Sequence, residues 1–106
     1  VSIALATLGD AWSLLIVRDL MFKDKQSYNE FLQGGEGIAS NILADRLRRM
    51  EKAGLIKAVP YQRRPVRYAY SLTEKGQGLR EVLVAVARWG HQHIPGTKFL
   101  PEFLRS

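Results

Sequence analysis

The spacing of apolar residues changes period twice along this chain, and these changes constrain its fold more than any other feature of the sequence. Up to Gly54, apolar side chains recur at the spacing of a helix with one buried face. Over residues 55–72 come two runs rich in β-branched and aromatic residues, and after Thr73 the helical spacing returns. A chain of 106 residues has room for one core. The pattern therefore predicts a single, mainly α domain that carries one small β-hairpin, an α+β fold.

Capping residues predict where the first three helices begin and end. Residues 1–8 form a short predicted helix that ends at Gly9, and Asp10 is a natural N-cap for a second helix. The expected buried face of this second helix consists of Trp12, Leu15, Ile16 and Leu20. Ser27 and Glu30 have the spacing of a capping box, which opens a third helix. The inward-facing residues of that helix are expected to be Tyr28, Phe31 and Leu32.

A fourth helix is predicted from Ala39 or Ser40 to about Ala53, between a glycine-rich turn at residues 34–37 and Gly54. Its apolar stripe consists of Ile42, Leu43, Leu47 and Met50. Its opposite face is polar and consists of Ser40, Asn41, Ala44, Asp45, Arg48, Arg49 and Lys52, with Arg46 at the border. We therefore expect a helix that docks on the core and presents its outer face to a partner.

The two β-type runs, Leu55–Tyr61 and Val66–Leu72, flank the tetrad Gln62-Arg63-Arg64-Pro65 and predict a hairpin with two arginines at its tip. In the second run, apolar and polar residues alternate, as in a half-buried strand. Pro60 lacks a backbone N–H and marks the first run as an edge or bulged strand.

Thr73 is predicted to cap one long final helix that reaches about Ile94, before Pro95-Gly96. Its apolar stripe is wide and consists of Leu79, Val82, Leu83, Val86, Trp89, Gly90 and Ile94. One side of a thin core cannot cover such a stripe, so self-association, most simply as a two-fold dimer, is expected. We thus expect one domain over residues 1–94, including the dimerisation helices. The tail at 95–106 is expected to pack on the domain or the dimer.

The excess positive charge is concentrated in the fourth helix and the hairpin. The chain has a formal net charge of +6, and residues 39–70 alone carry that whole excess. A concentrated positive field favours a polyanionic partner. The alternative at this point is a solvated basic face that binds nothing.

Other classes of protein are disfavoured by what the sequence lacks. It has no cysteine, and its two histidines, His91 and His93, are two residues apart and do not share a helix face. No metal or other cofactor is therefore expected. There is no glycine-rich phosphate loop after a strand and no convincing Ser–His–Asp set, so an enzyme is not expected. No apolar run is long enough to cross a membrane and no secretion signal is apparent, which makes a cytoplasmic protein the simplest expectation.

The order of elements and the placement of charge together match a winged helix-turn-helix. The major groove of DNA admits one helix, whose N-terminal side chains reach base edges, and a basic hairpin beside it can reach the neighbouring minor groove. The candidate DNA contacts are Lys25, Gln26, Ser40, Asn41, Asp45, Arg46, Arg48, Arg49, Arg63, Arg64 and Arg67. Three alternatives remain open: Asn41 as a local cap, Arg49 paired with Asp45, and Arg46 as a brace to an acid on a neighbouring helix.

Several motifs resemble those of the HxlR-type winged helix-turn-helix regulators, bacterial transcription factors related in fold to the MarR group. The similar residues are 8–20 with Trp12, 28–31, 37–43, 46–47, 65, 67, 70–74, 76 and 89–90, and the likeness covers about residues 1–92. The resemblance implies a cytoplasmic homodimer on a pseudo-palindromic double-stranded DNA operator, with the first and last helices at the dimer interface. The residues that this assigns to the interface are Ile3, Leu5, Val82, Val86, Trp89 and Ile94.

This chain departs from the family pattern at three positions. Family members often carry a sensing cysteine on the N-terminal side of the matching segments. The 106 residues of this chain contain no cysteine, so thiol-based sensing is not assigned. Ser27 stands where an arginine is frequent, and Ala39 where a serine is frequent, which leaves Ser40 as the nearest capping hydroxyl.

Two further expectations concern partners. An unidentified small-molecule effector would have to bind one dimer geometry better than another, and a pocket is expected between the long helix and Trp12 or Trp89. The alternative function is a winged-helix module that binds an acidic protein, because the fold alone does not dictate function.

Overall fold

A computed structural model describes residues 1–22, 26–34 and 37–96 of the chain. Within these ranges the expected order of elements is confirmed, except that two helices stand where one final helix was expected. The elements are α1 (Ser2–Leu8), α2 (Ala11–Phe22), α3 (Tyr28–Leu32), α4 (Ser40–Lys52), β1 (Ile56–Arg63), β2 (Val66–Leu72), α5 (Glu74–Gln77) and α6 (Arg80–His93). The two strands form one antiparallel hairpin between helices. The protein thus has a mainly α fold with a two-stranded wing.

The helix ends follow the capping signals of the sequence. Gly9 ends α1 with a φ of 81°, a backbone conformation that residues with a Cβ rarely adopt. Asp10 Oδ1 then accepts hydrogen bonds from the N–H groups of Trp12 and Ser13. The capping box of α3 is present in full, with Ser27 Oγ accepting from Glu30 N and Glu30 Oε1 accepting from Ser27 N. At α4, Ala39 is the N-cap and provides no capping side chain.

The core lies between α2, α3, α4 and the base of the hairpin. Its buried apolar residues are Ile16, Val17, Phe31, Leu43, Leu47, Met50, Leu55, Ile56 and Leu79. In α2 the expected buried face was partly wrong. Trp12, Leu15 and Leu20 are only half-buried, whereas Val17 and Asp19 are buried. The face is rotated because α2 packs on α4, the hairpin and α6 rather than on one neighbour.

The hairpin pairs Ile56 with Leu72 at its base and Arg63 with Val66 at its tip. Its register shifts between Pro60 and Gln62, so the expected bulge beside Pro60 is present. The expected half-buried alternation was wrong: residues 66–68 are all exposed and residues 69–72 are all half-buried. Tyr70 and Leu72 are half-buried, but Val66 and Tyr68 are exposed because the outer part of the hairpin extends beyond the core.

The final helix is not continuous, which corrects the expected single helix from Thr73 to Ile94. Thr73 caps only the four-residue α5, and α6 begins at Arg80. A Cβ at Gly76 would lie 2.1 Å from the carbonyl oxygen of Leu55, so this glycine lets α5 sit directly on the chain that enters β1. Leu79 N donates to Gly76 O in a tighter turn at the break. Of the predicted tail, residues 97–106 lie outside the described residues.

Candidate nucleic-acid interface

The outer face of α4 is exposed along its length, as its amphipathic pattern predicts. Ser40, Asn41, Arg48 and Arg49 are exposed, while Leu43, Leu47 and Met50 on the opposite face are buried. The side chain of Asn41 makes no hydrogen bond within the described part of the chain and does not cap the helix. The local-cap alternative for Asn41 is therefore not what the structure contains.

The first turn of α4 is held in place from α3. Tyr28 Oη donates a hydrogen bond to the carbonyl oxygen of Ser40, at 2.9 Å. Tyr28 stands at the start of α3, next to the capping box that orients that helix. The two helices therefore form a unit that orients Ser40 and Asn41 without using either side chain.

Arg46 is engaged with the fold, in agreement with the brace that the sequence left open. Its Nη2 lies 2.6 Å from Oδ2 of Asp10, and its Nε donates to both carboxylate oxygens at 3.1 and 3.0 Å. Its Nη1 contacts Asp45. The hydrogen bond from Arg46 holds the pKa of Asp10 below its ordinary value of 3.8, despite some desolvation, and the same bond raises the pKa of Arg46. The guanidinium thus joins α4 to the start of α2.

Asp45 sits among three arginines. Besides Arg46, it accepts a hydrogen bond from Arg48 at 3.1 Å and pairs with Arg49 at 3.0 Å, the i,i+4 alternative considered from the sequence. Desolvation raises the pKa of Asp45, but Arg48, Arg49 and Arg46 outweigh it and the pKa lies below the ordinary value. Arg48 and Arg49 keep 75% and 69% of their side-chain surface exposed. Exposed pairs of this kind are weak, so both arginines can exchange Asp45 for another anion.

The hairpin tip presents its arginines to solvent. Arg63, Arg64 and Arg67 are exposed, and none has an ion-pair partner in the ranges that the structure describes. Gln62 Nε2 donates to the carbonyl oxygens of Arg64 and Pro65, at 3.4 and 3.1 Å, and so holds the turn from within. The tip therefore combines a fixed backbone with free cationic side chains.

The two remaining predicted contacts precede α3. Gln26 is exposed, and its carbonyl oxygen accepts from Tyr70 N at 2.7 Å, which places it beside β2. Lys25 lies outside the described residues. With Tyr28 joining α3 to α4, the structure brings Gln26, the start of α4 and the hairpin into one neighbourhood.

A groove lined by tyrosines was not foreseen from the sequence. It has a volume of about 350 Å³ and lies between the start of α3 and the outer hairpin. Its lining residues are Ser27, Tyr28, Asn29, Tyr61, Val66, Arg67, Tyr68 and Tyr70. The available signal was the repetition of tyrosine at alternate positions of β2, which alone does not separate a groove from a core face.

The residues assigned to self-association are exposed and apolar. They are Ile3 and Leu5 on α1, and Val82, Val86, Trp89 and Ile94 on or beside α6. The rings of Trp89 and His93 contact each other with centroids 5.1 Å apart. Such a set of exposed apolar side chains is typical of a surface that a partner covers.

An apolar groove of about 280 Å³ lies between α2 and α6. Its lining residues are Ala11, Leu14, Leu15, Arg18, Phe22, Leu83, Val86 and Ala87. A pocket was expected near Trp12 or Trp89, and neither residue lines this groove.

Membrane spans and metal clusters are both absent from the part of the chain that the structure describes. No described helix is long and apolar enough to cross a membrane. Over the same ranges, no three His, Cys, Asp or Glu side chains are grouped so that they could hold a metal ion.

Known proteins resemble this chain over most of its length. A family model described as HxlR-like helix-turn-helix matches residues 7–98. A Mycobacterium tuberculosis protein, named an uncharacterized HTH-type transcriptional regulator, is 35% identical over 102 residues, which are 96% of this chain and 63% of that protein. This chain therefore spans less than two thirds of the length of that relative.

Similarity extends to a relative of known structure. The HTH-type transcriptional regulator YodB of Bacillus subtilis is 32% identical over 100 residues, covering 93% of this chain and 88% of that protein. The solved structure of its reduced form superposes with a TM-score of 0.72, at 28% identity, over 92% of this chain and 94% of that one.

Proposed function

This chain belongs to the HxlR-like helix-turn-helix family, and we propose that it is the DNA-binding part of a transcriptional regulator. Its relatives from M. tuberculosis and B. subtilis are HTH-type transcriptional regulators, which supports this function over that of an enzyme. We propose that it acts in the cytoplasm, where bacterial DNA is accessible to it.

One observation carries the proposal: the whole positive excess of the chain lies on one helix and one hairpin, and every basic residue of these two elements except Arg46 is exposed. Phosphate contacts by lysine and arginine supply most of the affinity of proteins for DNA, while side chains at a helix N-terminus read base edges. The exposed first turn of α4 can read base edges. Arg48 and Arg49 further along this helix, together with the arginine-tipped hairpin, can contact phosphates.

The proposed roles follow from position on α4 and the hairpin. Asn41 and Ser40, on the first turn of α4, contact base edges or a phosphate in the major groove. Arg48 and Arg49 leave Asp45 to contact phosphates. Arg63, Arg64 and Arg67 contact the adjacent minor groove or its phosphates. Arg46 is a positioning residue, because its guanidinium is already bound by Asp10.

We further propose that the regulator is a homodimer on a pseudo-palindromic operator. The exposed apolar residues of α1 and α6 supply a self-complementary surface, and a two-fold protein matches a two-fold DNA site. An effector, whose identity is open, would act by binding one dimer geometry better than another, and the apolar groove between α2 and α6 is the place we assign to it.

Selection from a library of random duplexes tests this function. The purified protein is expected to enrich inverted repeats with half-sites about 10 base pairs apart. It should bind them at least about 1,000 times more tightly than unrelated duplexes at physiological salt. Enrichment of no sequence, with binding only to acidic proteins, would contradict a regulatory role on DNA.

Asn41→Ala tests the reading of bases in the same assay. The expected result is a changed preference at one or two base pairs, at a cost of about 1–3 kcal/mol for the preferred sequence. Lys52→Ala, on the last turn of α4, is the control. A phosphate contact carries no sequence information, so this substitution should leave the base preference unchanged. Uniform weakening by Asn41→Ala would assign Asn41 to a phosphate instead.

A further inference from the structure

The groove beside the hairpin collects every tyrosine of the chain. The sequence has four tyrosines, and Tyr28, Tyr61, Tyr68 and Tyr70 all line this groove, which we call the tyrosine groove. Tyr61 is the extra residue at the strand bulge, where Pro60 pairs with Tyr68 and Gln62 pairs with Arg67. A bulge redirects the side chain that it leaves unpaired. Here it lets Tyr61 line the same groove as Tyr68.

The four phenols differ in what they can offer a ligand. Tyr28 already donates its hydroxyl proton to Ser40 O, and Tyr70 is half-buried with its ring 6.3 Å from that of Phe31. Desolvation, with a smaller effect of Glu51, raises the pKa of Tyr70 above its ordinary value. Tyr61 and Tyr68 are exposed residues, and their hydroxyls make no hydrogen bond within the described residues. They are donors without an acceptor, next to the exposed cation of Arg67.

The position of the groove indicates which acceptor it meets. One edge, Tyr28, is bonded to the first turn of α4, and the other edge belongs to the hairpin that ends in Arg63 and Arg64. In duplex DNA a single sugar–phosphate backbone separates a major groove from the adjacent minor groove. A protein that places a helix in one and a hairpin tip in the other must face that backbone in between. Residues at the start of α3 and on the hairpin form the two sides of the groove, so a strand can pass along it.

We infer that the tyrosine groove binds the sugar–phosphate backbone of one DNA strand, with the hydroxyls of Tyr61 and Tyr68 donating to phosphate oxygens and Arg67 neutralising the phosphate charge. This inference rests on the proposed DNA-binding function. It adds to the interface neutral hydrogen-bond donors that the distribution of charge alone would not have identified. Neutral donors to phosphate fix the register of the protein on the duplex without increasing counterion release.

Removal of single hydroxyl groups tests the inference on the duplex that the wild-type protein selects. Tyr61→Phe and Tyr68→Phe keep the rings and are each expected to weaken binding by about fivefold for each half-site that the dimer occupies, the value of one hydrogen bond. The slope of log affinity against log salt should not change, because no cation is removed. Arg67→Gln should instead reduce that slope by about one unit for each half-site. Arg88→Gln, on α6 and away from the groove, is the matched control and should change neither quantity.

A modified duplex locates the contact. Methylphosphonate linkages are placed at one position at a time along the backbone. At the phosphate that the groove binds, the modification should weaken binding by the wild-type protein but have little further effect on the Tyr61→Phe/Tyr68→Phe protein. This non-additivity identifies a direct interaction. Thermal unfolding of each variant, compared with wild type, establishes that the fold is retained.

The outcomes separate this inference from the function on which it rests. Sequence-specific binding that both phenylalanine variants retain in full would overturn the role of the tyrosine groove and leave the regulator proposal intact. Full additivity at every methylphosphonate position would overturn it as well. A wild-type protein that selects no duplex would instead refute the proposed function.

Discussion

Arg46 and Asp10, which are 36 positions apart, join the basic helix to the turn that separates α1 from α2. The guanidinium of Arg46 contacts both carboxylate oxygens of Asp10, with Nη2 2.6 Å from Oδ2. The same carboxylate caps α2 through the N–H groups of Trp12 and Ser13. One side chain therefore sets where α2 begins and how α4 is oriented against it.

Substitution of Asp10 separates these two roles. Asp10→Asn retains an N-cap oxygen but loses the charge, whereas Asp10→Ala loses both, so Asp10→Ala should be the less stable variant, by about 1 kcal/mol. Both should unfold at lower urea concentrations than wild type. Glu81→Gln, an exposed charge change on α6, is the control. Asn and Ala variants of equal stability would show that Asp10 does not cap α2.

The ion pairs of α4 also predict a dependence of stability on pH. Because the pKa values of Asp10 and Asp45 lie below 3.8 in the folded protein, both carboxylates stabilise the fold fully above that value. The contribution is lost as the pH falls through the lowered values and protonates them. Urea unfolding between pH 7 and about pH 2 should show the difference between wild type and Asp10→Asn shrink in acid. A difference that persists at the acid end would exclude an electrostatic origin.

Gly76→Ala should destabilise the protein strongly, because its Cβ would lie 2.1 Å from the Leu55 carbonyl oxygen, a backbone atom that cannot move aside alone. We expect a loss of at least about 2 kcal/mol in the free energy of unfolding. Gly90→Ala is the matched control: a Cβ there meets nothing within 4 Å, and the substitution should be neutral or stabilise α6 by about 0.5–1 kcal/mol. Equal stability of the two variants would mean that α5 does not rest on the chain entering β1.

The wing arginines should contribute to binding without regard to sequence. Arg63→Ala/Arg64→Ala is expected to weaken binding to all duplexes and to reduce the salt slope by roughly one unit for each phosphate that is no longer neutralised. Fluorescence anisotropy at several salt concentrations measures both effects, with Arg88→Ala as the control. An unchanged slope would remove the hairpin tip from the interface.

Self-association should depend on the exposed apolar face of α6. Val86→Glu is expected to shift a dimer to a monomer in sedimentation velocity, because burying an unpaired carboxylate in an apolar interface is strongly unfavourable. Gln77→Glu introduces the same charge at an exposed site on α5 and should leave the dimer intact. A dimer that tolerates Val86→Glu would place the interface elsewhere.

Much of the fold could be predicted because its signals are local. Gly9, the capping box at Ser27 and Glu30, and the amphipathic pattern of α4 each act within a few residues, and the structure contains all of them. The exposed basic face could be predicted for the same reason, because desolvating unpaired arginines is costly. The polar residues of α4 therefore had to face outward wherever the helix packed.

Other features depend on residues far apart in sequence, and only the tertiary structure decided them. The sequence allowed Arg46 either to bind a phosphate or to brace the fold. In the structure its guanidinium donates to Asp10, which is 36 positions away. A helical pattern continues through Gly76, but in the structure α5 has four residues, packs closely on Leu55 at Gly76, and is followed by a separate α6. The tyrosine groove exists because a bulge turns Tyr61 and a hydrogen bond ties Tyr28 to α4. Local preference determines which elements form, whereas the contacts between them determine which side chains remain free to bind.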